Sequence, residues 1–81
     1  MSLIDKIYNM QNWMYKKQYV QARMVFMNKA TYEALKKEAA PFTYSGLPNY
    51  ENDPQYTKDM IFNMEVRIDE NLSDNQFLLS E

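Results

Sequence analysis

Side chains change character at every step between residues 60 and 69. Met60, Phe62, Met64, Val66 and Ile68 alternate with Ile61, Asn63, Glu65, Arg67 and Asp69. Neighbouring residues of a strand point to opposite faces, so the period of two predicts one strand over Met60–Asp69 with a buried and a wet face. Asn71-Leu72-Ser73-Asp74-Asn75 supplies turn chemistry, and Phe77-Leu78-Leu79 reads as the returning strand of a hairpin. In a core position, Phe62→Ala would cost about 3–5 kcal/mol.

The N-terminal segment has the other period. Ser2-Leu3-Ile4-Asp5 fits a capping box, and from there to about Gln21 the residues Leu3, Ile4, Ile7, Tyr8, Met10, Met14, Tyr15 and Tyr19 share one broad helical arc. The other arc holds Asp5, Lys6, Asn9, Asn12, Lys16 and Lys17, with Trp13 among its lysines. From Arg23 the pattern changes to a short apolar run ending at Met27, which suits a central strand covered on both faces. Asn28 is placed to cap a second helix on which Tyr32, Leu35 and Ala39 recur, Glu33 pairs with Lys37, and Pro41 ends the element.

Residues 41–59 contain Pro41, Gly46, Pro48 and Pro54 and read as a long loop, but Phe42, Tyr44, Tyr50 and Tyr56 are more aromatic than a disordered tract. The expectation is an α+β fold in one domain, with the order α-β-α-β-β and a short mixed or antiparallel sheet packed by two helices. Its segments are an N-terminal helix (1–22), a strand–helix unit (23–40), a Tyr/Pro loop (41–59) and a hairpin (60–81).

With 81 residues and no cysteine, the domain has a limited core and no disulfide to support it, so stability of roughly 4–12 kcal/mol is the ceiling. That favours self-association or docking on a protein partner. No apolar run is long enough to span a membrane, and no signal peptide is evident. Charge is uneven. Residues 1–40 carry seven Lys/Arg against three Asp/Glu (net +4), and residues 41–81 carry two against eight (net −6). The halves either neutralise one another in the fold or mark a charged partner.

The run Val25-Phe26-Met27-Asn28-Lys29-Ala30-Thr31-Tyr32-Glu33-Ala34-Leu35 resembles the MNPxTYxxL segment of the major capsid proteins of tailed bacteriophages, with Lys29 where that family often has Pro. Residues 64–79 are similar to the amphipathic strand, acidic turn and FLL-like strand that end the same family. The likeness covers about half of the chain and a fragment of the capsid fold. It implies a small phage or prophage protein, in the virion or the host cytoplasm, that reuses part of that fold.

The residue inventory argues against an enzyme. There is no His and no Cys, so Ser-His-Asp and Cys-His arrangements and the usual zinc sites are excluded, and a single Gly leaves no phosphate-cradling loop. The run from Asp69 places oxygens at Asp69, Asn71 and Ser73. A calcium loop would need Gly where Asp74 stands and a bidentate Glu where Ser80 stands. No cofactor, metal or small-molecule substrate is expected. Binding to protein is the remaining class, with candidate residues Trp13, Lys16 and Lys17 on the first helix and Tyr44, Tyr50 and Tyr56 in the loop. The plainer alternative for each is packing: Trp13 under the loop, the tyrosines over the sheet, the seven methionines as core filler. Overall acidity argues against nucleic acid, although Trp13 beside lysines could stack on a base. The expected function is a structural or accessory virion component. The alternative is a small phage inhibitor that binds a host enzyme or defence protein.

Overall fold

A computed structural model describes residues 2–38, 42–44 and 55–81. The first helix, α1 (Leu3–Gln18), starts where Ser2 Oγ accepts a bond from the Asp5 amide at 3.3 Å, satisfying one of the amides left free at a helix start. It ends at Tyr19, which adopts the left-handed conformation (φ 56°) and lets Val20 N–H close on the carbonyl of Met14 at 3.2 Å. Glycine normally fills this position, because a Cβ there costs about 1–2 kcal/mol.

Strand β1 (Met24–Met27) runs into α2 (Lys29–Lys37), capped by Asn28 as its sequence predicts: Thr31 N–H donates to Asn28 Oδ1 at 2.8 Å. Then come β2 (Thr43–Tyr44), β3 (Tyr56–Ile61), β4 (Met64–Ile68) and β5 (Leu78–Ser80). The five strands form one mixed sheet in the order β2-β3-β4-β1-β5, with β1 parallel to β4 and antiparallel to β5. Directly paired residues share a face. Val25 lies opposite Val66 and Leu79, and Ile61 opposite Met64. On that face Val25, Met27, Ile61, Met64 and Val66 are fully buried and join Ile7 of α1 with Tyr32 and Leu35 of α2 in one core. Both helices therefore cover the same side of the sheet, and each fully buried aliphatic side chain contributes about 1.5–3 kcal/mol. The fold is α+β, two helices on a short sheet.

Five expectations change. The single strand over Met60–Asp69 is two strands. Phe62 and Asn63 have φ of 50° and 65°, the signature of the type I′ turn that joins β3 to β4. A two-residue turn reverses the chain, so the alternation continues in the sequence while its faces are reassigned. Ile61, read as solvent-facing, is fully buried, and Phe62 is only half-buried on the turn. Secondly, residues 60–81 do not close as a hairpin, because β1 lies between β4 and β5. Residues 69–77 are long enough to cross the roughly 10 Å of two strand spacings and leave both edges of β1 paired. Thirdly, the segment 41–59 contributes β2 and most of β3, where Lys58 (φ 66°) marks a bulge between Tyr56 and Met60. Fourthly, β1 is fully buried on one face only, Met24 and Phe26 being half-buried. Lastly, among the described residues Glu33 and Lys37 form no ion pair, and it is Lys36 that pairs, with Asp59. The breaks expected at Pro41, Gly46, Pro48 and Pro54, and Ala39 of the second helix, lie outside the described residues.

Candidate functional site: a groove between the first helix and the edge strand

Helix α1 is anchored along its centre by Ile7, with Leu3, Ile4 and Met14 packed around it. Its two flanks then meet different parts of the sheet. On one side Tyr8 approaches Phe62 with ring centroids 5.3 Å apart, and Gln11 Nε2 donates to the Phe62 carbonyl at 2.8 Å. These contacts hold the helix against the β3–β4 turn. The opposite flank is less covered. There Lys6, Asn9, Met10 and Trp13 face Phe77 across a shallow groove of about 520 Å3, which continues past Met14 and Gln18 to Leu78 and Leu79. Met10 is 43% and Trp13 49% exposed, so two large apolar side chains meet solvent on this flank; Leu78, 55% exposed, pairs with Phe26 and so points from the edge to the other face of the sheet. Beside them runs β5, the outermost strand of the sheet. Its outer backbone groups are available to another strand.

The groove gathers some of the expected residues and not others. Trp13 is in it. Lys16 and Lys17 do not line it; they sit in the last turn of α1, where cations oppose the carbonyl end of the helix dipole. Tyr44 belongs to β2, and Tyr50 lies outside the described residues. Tyr56 is buried in β3, with the Arg67 guanidinium 5.7 Å from its ring centroid and its pairing to Arg67 placing it on the side of the sheet away from the helices. Sequence reasoning missed Met10, Phe77 and Leu78 as surface residues. The available signal was the i, i+3 spacing of Met10 and Trp13, which puts them side by side on a helix.

A second polar region ties the chain together. Asn28, almost buried, donates from Nδ2 to the Leu72 carbonyl (3.2 Å) and to Asp74 Oδ1 (2.7 Å). Thr31 Oγ1 accepts from Asn75 N–H at 2.8 Å, and Glu70 Oε1 accepts from Lys29 N–H at 3.0 Å. Asp69 accepts from the Asn71 amide. Glu70 and Asp74 are thus engaged with the start of α2 and Asp69 with the loop's own backbone, and among the described residues no group of three carboxylates is arranged to hold a metal. Farther along α2, the Tyr32 hydroxyl donates to Asp59, whose carboxylate also lies 3.7 Å from Lys36 Nζ. Burial first, and then this bond to Asp59, raise the Tyr32 phenol above its ordinary pKa. The neighbouring Tyr32 also raises Lys36. A phenol held neutral and bonded to a carboxylate is a structural tie between helix and sheet rather than a poised nucleophile.

Comparison with known protein families, with curated proteins and with solved structures finds no match for this chain. What the fold and the site define is a class: a small α+β domain with an apolar groove beside a free sheet edge. Among the described residues no helix is long and apolar enough to cross a membrane.

Proposed function

We propose that this chain is a non-catalytic interaction protein that docks on another protein surface through the groove between α1 and β5. The observation that carries the reading is the exposure of Met10 and Trp13, each near half exposed, beside Phe77 at the outermost strand of the sheet. Tryptophan is favoured as an interface anchor, and leaving it beside apolar neighbours in water is unfavourable unless a partner covers it. Within this class, the likeness of residues 25–35 and 64–79 to segments of tailed-phage capsid proteins supports a structural or accessory role in a phage or prophage particle, in the virion or the host cytoplasm. The net charge of −6 on residues 41–81 favours a second reading, an inhibitor that presents acidic groups to a host enzyme or defence protein.

Capture with the tagged protein from lysates of infected and uninfected host cells tests both. Trp13→Ala should abolish capture, and Tyr19→Ala, which removes an exposed ring away from the groove, should leave it intact. Shell proteins or further copies among the retained partners favour the particle role; a host enzyme favours the inhibitor. Capture that is indifferent to Trp13→Ala overturns the assignment to the groove.

A further inference from the structure

We propose that the partner seated in this groove is a second copy of the chain, joined edge to edge through β5 as a two-fold symmetric antiparallel pair; the inference rests on the docking reading above. The first reason is the edge itself. Exposed edge strands are normally blunted by shortness, a lysine, a proline or a bulge; β5 is short, but Phe77-Leu78-Leu79-Ser80 has none of the other three. The second is geometry. A two-fold axis perpendicular to the sheet pairs β5 with β5 antiparallel and keeps the helices of both copies on one side. The Met10–Trp13 flank of each α1 then faces its counterpart across the seam, and two apolar half-grooves close on each other.

Charge sets the register. When the pair is centred on Leu79, Phe77 of one copy lies opposite Glu81 of the second. Lys6 lines the groove beside Phe77. Neither Lys6 nor Glu81 has an ion-pair partner among the described residues, although Arg23 of the same copy borders the surface depression that holds Glu81. Symmetry supplies the Lys6–Glu81 contact twice. A three-residue strand with a few side chains buries less than the roughly 800 Å2 per partner of a standard interface, so the dimer is weak, with dissociation in about the micromolar range.

Sedimentation velocity of the full chain from micromolar to submillimolar concentration tests the pairing, with circular dichroism confirming that each variant folds. The wild type should pass from monomer to dimer. Trp13→Ala should weaken the dimer by about tenfold or more. Leu78→Lys, which places a blunting charge on an exposed edge position, should do the same. Lys6→Glu and Glu81→Lys should each weaken it, and together restore it to within about twofold, since the exchanged charges again meet across the seam. A wild type that stays monomeric throughout, a dimer unmoved by Trp13→Ala and Leu78→Lys, or a double exchange no better than its singles overturns the proposal. A monomer that still captures another protein in a Trp13-dependent way would end self-pairing and leave the docking reading standing.

Discussion

Replacing Asn28 with aspartate separates two roles that the side chain performs at once. Its Oδ1 caps α2 through Thr31 N–H, and its Nδ2 holds the loop 69–77 by donating to the Leu72 carbonyl and to Asp74 Oδ1. Aspartate is as good a cap as asparagine, and its charge is favoured at a helix start by about 0.3–1 kcal/mol. The cap alone thus predicts a variant at least as stable as the wild type. The loop contacts predict the reverse. Both donations vanish, each worth about 0.5–1.5 kcal/mol net, and the new carboxylate meets Asp74 where the amide stood 2.7 Å away. Asp74 is exposed, so solvent screens much of this repulsion. The sum is a loss of about 1–2 kcal/mol at neutral pH, which for a domain of this size lowers the melting temperature by roughly 4 °C or more.

Urea titration followed by circular dichroism at pH 7 and again near pH 4 gives the measurement. Two carboxyl groups so close share a proton, which raises one pKa above its ordinary value. Protonation supplies a donor to Asp74, so the gap between variant and wild type should narrow as pH falls. Asn28→Ala, which removes cap and donors together, should lose about 2–4 kcal/mol with no such recovery. An Asn28→Asp protein within about 0.5 kcal/mol of the wild type at pH 7 would refute the reasoning, because the loop would then need no donor from Asn28.

Tyr32→Phe should cost about 1–2 kcal/mol at neutral pH through the lost bond to Asp59. Because Tyr32 and Lys36 are both raised in the folded state, their contribution is fully present below pH of about 10 and lost as pH rises through the folded values; alkaline urea titrations should show a steeper decline for the wild type than for Tyr32→Phe. Phe62→Ala should cost about 1–2 kcal/mol, less than the 3–5 of a core phenylalanine, since the ring is half-buried on a turn; Ile61→Ala, at a fully buried position, should cost about 2–5 kcal/mol in the same thermal or urea assay. Tyr19→Gly should raise stability by about 0.5–1 kcal/mol, because Tyr19 is 90% exposed and its left-handed φ is free of strain only for glycine; a lower melting temperature would show that the ring packs against something.

The particular residues show why sequence reasoning reached the fold class and stopped short of the topology. Ser2 and Asn28 announce their helices because a cap is a local device, settled within three residues of chain. Val66 and Ile68 announce a half-buried strand for the same reason. The β3–β4 turn is also local, but Phe62-Asn63 lacks the Asn-Gly or Asp-Gly signature of a type I′ turn, and the alternation runs through it without a change of phase. The placement of β1 between β4 and β5 is not local at all. It follows from contacts such as Asn28 with Asp74 and Thr31 with Asn75, separated by more than forty residues, and composition carries no record of them.

Trp13 was legible as a candidate from its place among the polar residues of α1, yet its neighbours Phe77 and Leu78 became visible only once the sheet order brought the last strand beneath the first helix. The same order explains how the start of α2 and the groove divide the work. Asn28 and Thr31 spend their hydrogen-bonding capacity on holding the 69–77 loop in place. That loop carries β5 to the outside of the sheet, beside Met10 and Trp13. Loosening the Asn28 tie should therefore weaken docking at a groove that neither Asn28 nor Thr31 lines. Comparing self-association of Asn28→Asp and wild type under conditions where both are folded would measure that link, and equal affinities would show that β5 holds its place without the tie.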